Sequence, residues 1–140
     1  MVGRIFRTVE CWNYTNTPQI EIVLISVDGK RLPEKGGLKV SVDTGFSGYL
    51  LLPRRYYRLF QPGELPEQEF RVFKTLMGDI VMRGARAILR IPAADLEFKV
   101  IVETPKFGRG KLLIGRQVLN ELCLLMNGRE HTLCLCEPEG

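Results

Sequence analysis

The stretch Val40-Ser41-Val42-Asp43-Thr44-Gly45-Phe46-Ser47-Gly48 decides how the rest of the chain is read. Leu38-Lys39-Val40-Ser41-Val42 alternates apolar and polar residues, the period of a strand with one buried face. That strand runs straight into Asp43. A carboxylate at the end of an apolar strand is costly to bury, and without a partner it tends to take up a proton. Thr44, Gly45, Ser47 and Gly48 are small, so the backbone can turn sharply and another backbone can come close. An acid held in a tight, small-residue turn suits a catalytic carboxylate. Read alone, the same residues also fit a plain β-turn, because Asp and Gly dominate turns.

Working outward, Gln19-Ile20-Glu21-Ile22-Val23-Leu24-Ile25-Ser26-Val27 is rich in β-branched residues and ends at Asp28-Gly29, a hairpin-turn signal. Pro33 and Gly36-Gly37 are further breaks. Tyr49-Leu50-Leu51-Leu52-Pro53 reads as a buried strand stopped by proline. Residues 54–60 have room for a short helix, and 61–69, with two prolines and a glycine, read as a loop. Strands are expected over 70–77 and 80–83, meeting at Gly78-Asp79, then over 87–91, 96–102 and 111–114. After Gly115, Val118, Leu119 and Leu122 have the spacing of one helix face. Residues 123–126 and 132–136 form an expected closing hairpin about Asn127-Gly128. The pattern describes one all-β domain over 1–140, a small closed or nearly closed sheet with one short helix near the C-terminus.

Composition narrows the classes. The 140 residues are 45% apolar and 26% charged, an ordinary globular balance sufficient for one core. The net charge of +4 is scattered: Arg54 and Arg55 are adjacent, while Lys106, Arg109 and Lys111 are spread through a turn. A nucleic-acid binder concentrates such charge and adds a stripe of stacking aromatics, and none is visible around Trp12 and Tyr14. A solvated basic surface is the simpler reading. No apolar run approaches the ~20 residues of a membrane-spanning helix, and the N-terminus lacks a signal peptide's apolar stretch. The expectation is a cytoplasmic protein with no membrane or nucleic-acid partner. Cys11, Cys123, Cys134 and Cys136 with the single His131 fit no zinc pattern, so no metal or cofactor is expected. Cys134 and Cys136 would share one face of a strand. Buried free thiols are the expected state, with a disulfide as the alternative. His131, beside the last turn and without a triad partner, reads as a surface residue.

A second segment gives Asp43 its context. Leu112-Leu113-Ile114-Gly115-Arg116-Gln117-Val118-Leu119 is an apolar strand, a glycine, then a helix. In this order, the two segments resemble the retropepsin family of retroviral-type aspartic peptidases and their cellular relatives. Asp43-Thr44-Gly45 matches the family's Asp-Thr/Ser-Gly signature, and Ile114-Gly115-Arg116 with Leu119 matches its second signature. The resemblance covers roughly residues 19 to 136 and is weakest in the middle.

The resemblance implies a small β barrel of the retropepsin type that works as a homodimer, because each chain brings a single Asp-Thr-Gly. Two Asp43 carboxylates, one per subunit, would activate water for hydrolysis of peptide bonds in an extended polypeptide. Thr44 would brace the dimer beneath them, and the Gly45 carbonyl would meet the substrate backbone. Ser47, Met77 and Gly78 would bind substrate, the last two on a hairpin flap formed by Thr75-Leu76-Met77-Gly78-Asp79 with its tip at Gly78. Leu50, Leu52 and Met77 would supply an apolar subsite. Residues 132–136 would join a dimer sheet built from chain ends. Two departures stand out. Ser47 replaces the acid found two residues after the signature glycine in the viral enzymes, which leaves Arg116 to find another partner, and the flap lacks a glycine-rich tip. The alternative from another class is a non-catalytic dimeric peptide- or protein-binding module on the same barrel.

Overall fold

The computed structural model describes residues 5–139. Eleven strands and two four-residue helices form among them. The strand with the richest β-branched run, β2 (Gln19–Ser26), carries Ile20, Ile22, Val23 and Leu24 into the core. It turns at Asp28-Gly29 into β3 (Arg31–Leu32), with Gly29 at a positive φ that its missing Cβ permits. β2 then pairs antiparallel with β4 (Leu38–Val42), the strand that ends at Asp43.

Beyond the Asp43 turn lie β5 (Leu50–Leu51), α1 (Arg54–Tyr57) and a 3₁₀ segment through Gly63. Next come β6 (Arg71–Thr75), β7 (Gly78–Ile91), β8 (Leu96–Pro105) and β9 (Leu113–Ile114). The segments expected as separate strands over 80–83 and 87–91 are one continuous β7, because Gly84 and Ala85 stay in register with Glu103 and Val102 of β8. The larger sheet runs β3-β2-β4-β9-β5-β8-β7-β6. It is mixed: β4–β9 and β5–β8 are parallel and the other ladders antiparallel. β2 makes one further antiparallel ladder with β7, from Val23 opposite Arg90 to Ser26 opposite Ala87.

The two ends of the described chain share a second sheet. β1 (Phe6–Asn13) pairs with β11 (Thr132–Pro138), which also pairs with β10 (Leu124–Asn127). β1 had no sequence signal, because of its eight residues only Trp12 is buried. β10 and β11 are joined through residues 128–131 instead of a two-residue Asn-Gly turn; the left-handed residue is His131, and Asn127 accepts the Glu130 amide through its side chain. His131 is exposed and stacks on Tyr14.

One core joins both sheets. Ile20, Ile22, Leu24, Val40, Leu50, Leu52, Leu89 and Ile114 meet Tyr57 and Phe60 from the helical turns, and Trp12, Leu133 and Leu135 from the terminal sheet. No helix is long and apolar enough to cross a membrane among the described residues. The cysteines correct the free-thiol expectation. Cys11 and Cys134, opposed across β1 and β11, form a disulfide, and only Cys123 and Cys136 are free.

Candidate active site

Register puts the two signature segments side by side. Val42 pairs in parallel with Ile114, so Asp43 leaves β4 next to Gly115 leaving β9. The Asp43 amide donates to the Ile114 carbonyl at 2.9 Å. The Asp43 carboxylate accepts the Gly45 amide at 2.8 Å, and the Asp43 carbonyl accepts the Phe46 amide at 3.2 Å, which tightens the turn. Asp43 is half-buried, while Thr44 and Gly45 are exposed.

Three amides at the start of α2 (Arg116–Leu119) hold the far side of the turn. Gly115 donates to Tyr49, Arg116 to Phe46 and Gln117 to Gly48, at 2.8, 2.9 and 3.1 Å. Glycine at 115 is a steric requirement: a Cβ there would overlap the Gly48 and Phe46 carbonyl oxygens. Gly48 is also crowded, but by side chains: a Cβ would fall 2.5 Å from Arg71 Nη2 and 2.6 Å from Glu103 Oε1.

Those last two residues had no signal in the sequence. Arg71 on β6 donates from Nε and Nη2 to the Glu103 carboxylate at 2.9 and 2.6 Å, and from Nη1 to Ser47 Oγ at 3.3 Å. Its guanidinium also lies over the Phe73 ring, 4.6 Å from the centroid. The Glu103 side chain, on β8, is only 3% exposed. Arg116 is exposed and carries no ion pair among the described residues. Arg116 therefore pairs with none of the described acids, and the ion pair beside Ser47 is Arg71–Glu103. A cavity of about 320 Å³ opens beside this pair, lined by Gly48, Tyr49, Phe70, Ile101 and Gln117.

The β6–β7 hairpin ends close to where it was expected, with a different tip. Leu76 and Met77 form the two-residue loop, and Gly78 begins β7 at a φ of 114°. Thr75 Oγ1 donates to the Gly78 carbonyl and accepts the Met77 amide, which fixes the turn. Leu76 and Met77 point fully into solvent. The expected apolar subsite of Leu50, Leu52 and Met77 does not exist: Leu50 and Leu52 are completely buried in the core, and only Met77 is free to touch a ligand. No cluster of three metal-ligating side chains occurs among the described residues.

No protein-family model and no curated protein sequence matches the chain. Solved structures do. EIAV protease complexed with the inhibitor HBY-793 aligns with a TM-score of 0.52 at 13% identity, over 79% of this chain and 91% of that one. A retropepsin-like aspartic protease from Rickettsia conorii aligns with a TM-score of 0.55 at 12% identity, over 100% of this chain and 98% of that one. At such identities the likeness speaks for the fold, and the fold of this chain is retropepsin-like.

Proposed function

From this retropepsin-like fold, we propose that the chain is a homodimeric aspartic endopeptidase whose catalytic centre is formed by Asp43 from two copies. The observation that carries the reading is the Asp43 turn, locked onto Gly115 by register and hydrogen bonds, with Thr44 and Gly45 left exposed for a second copy. One chain brings a single Asp-Thr-Gly and therefore half of a two-carboxylate centre. The closed-barrel reading draws support from the β2–β7 ladder, which returns the strand order to β2.

In the paired state, two carboxylates close together share one proton, because both cannot ionise near neutrality. The charged one accepts a proton from water as that water attacks the scissile carbonyl. The protonated one donates to the carbonyl oxygen as negative charge develops there. The two titrate as a unit. An extended polypeptide suits the cleft because strand-like backbone pairing can hold it beneath the β6–β7 hairpin, with Met77 and Gly78 above it and Ser47 in the wall. Copies would meet through strands other than β11, since β1 and β10 occupy both of its edges. Among the described residues the outer edges of β1 and β10 are unpaired, and these strands carry the exposed Phe6, Val9, Leu125 and Met126.

The test is digestion of an unstructured protein by wild type and Asp43→Asn between about pH 3 and pH 7. Cleavage lost in a folded, dimeric variant supports the reading. Equal cleavage by both proteins overturns it, and cleavage by neither favours the non-catalytic peptide- or protein-binding module.

A further inference from the structure

All four cysteines of the chain lie on or beside the three-stranded sheet that joins its ends. Cys11 and Cys134 are directly opposed and disulfide-linked. Cys136 follows two residues later on β11, so its side chain points to the same face. Opposite it stands Cys123, immediately before β10. The Cys136 amide donates to the Cys123 carbonyl at 2.9 Å, continuing the β10–β11 ladder by one step. The two free sulfurs are 2.7 Å apart. Cys136 is buried and Cys123 half-exposed. Burial, reinforced by the neighbouring Cys123, pushes the Cys136 thiol up to about 11. Cys136 therefore holds its proton, and Cys123 is the thiol a dissolved reagent meets first.

We propose that Cys123 and Cys136 are a redox modification site, closed by a small-molecule disulfide such as oxidised glutathione into a second cross-strand bridge beside Cys11–Cys134. The Cys123 thiolate attacks one glutathione sulfur, the glutathione S–S bond breaks, and the released thiolate takes up the proton Cys123 gave away. Cys136 then attacks the Cys123 sulfur, the mixed disulfide breaks, and the second glutathione leaves with the Cys136 proton. Two protein thiols are oxidised by two electrons, and one glutathione disulfide is reduced to two thiols. The geometry favours the second step over arrest at the first, because the resolving sulfur is already in contact with its target. The product ties β10, which among the described residues pairs with β11 alone, into the covalent unit that β1 and β11 already form. This site stands independently of any peptidase activity.

The experiment incubates the purified full chain, with Cys11–Cys134 intact, with increasing oxidised glutathione, followed by alkylation, intact mass and peptide mapping. The expected result is loss of both remaining thiols together, a mass lower by two hydrogens, no retained glutathione, a Cys123–Cys136 cross-link and an upward shift of the thermal midpoint. Cys136→Ser should stop at a stable glutathione adduct on Cys123, and Cys123→Ser should react at least about tenfold more slowly than wild type. Persistent thiols, a glutathione adduct that stays on wild-type Cys123, or a cross-link to Cys11 or Cys134 would overturn the proposal. If either serine variant fails to fold, the wild-type peptide map decides alone.

Discussion

Arg71, on the outer arm of the β6–β7 hairpin, grips Glu103 in the interior of β8 through two hydrogen bonds while touching Ser47 beside the Asp43 turn. A carboxylate this buried is tolerable only because the guanidinium neutralises it and fills both its oxygens. Arg71→Ala would strand that charge. The Arg71 side chain is 40% exposed, so water reaches the vacated site and the cost falls below that of a fully buried pair, to about 2–3 kcal/mol. The double variant Arg71→Met/Glu103→Leu should recover most of that loss in a urea-unfolding cycle. Equal destabilisation by the single and double variants would show that the charge pair is not the cause.

Gly115 is expected to be intolerant for a different reason. Gly115→Ala forces a methyl group into the Gly48 and Phe46 carbonyls, which are backbone and cannot rotate away. The expected cost is about 1–3 kcal/mol, with the Asp43 turn displaced. A denaturant midpoint unchanged from wild type would contradict the close approach.

Tyr57 gives the fold an alkaline limit. Burial first, then its hydrogen bond to Glu64 and that residue's charge, raise the Tyr57 pKa well above the ordinary tyrosine range. The folded state therefore holds the phenolic proton more tightly than the unfolded chain. The contribution is complete below the unfolded pKa of about 10 and declines as pH rises beyond it. Tyr57→Phe should lose less stability than wild type between about pH 9 and pH 11. Parallel losses in the two proteins would remove Tyr57 as the cause.

The hairpin tip separates stability from activity. The side chains of Leu76 and Met77 are fully exposed, so Leu76→Ser/Met77→Ser should change unfolding free energy by no more than about 0.5 kcal/mol. If the hairpin closes over substrate, the same change removes apolar contact there and lowers kcat/KM about tenfold or more. Unchanged kcat/KM would deny the hairpin that role.

These residues also show what could be read from the chain and what could not. The alternation of Leu38, Val40 and Val42 into Asp43, and the apolar strand before Gly115, carry their structure locally, and β4 and β9 lie where they predict. Arg71 and Glu103 lie on different strands far apart in sequence, and their pairing exists only through the β6–β7 and β7–β8 registers. Leu50 and Leu52 fit a ligand pocket as well as a core by composition, and only burial separates the two. The tip at Leu76-Met77 was hidden because Gly78 supplies the positive φ one position later. β1 escaped because it is held by β11 and the disulfide, with little apolar periodicity of its own. Removal of β11 would strip Leu133 and Leu135 from the core, so such a truncation would report on folding before assembly.

The central claim, that two copies share one catalytic pair, is tested most directly by subunit mixing. Wild type and Asp43→Asn are unfolded together in equal amounts, refolded, and assayed for cleavage at constant total protein. Random pairing predicts about a quarter of the wild-type activity, because only pairs with two intact Asp43 residues work. A value of about one half would mean that each chain acts alone, and would contradict the shared pair.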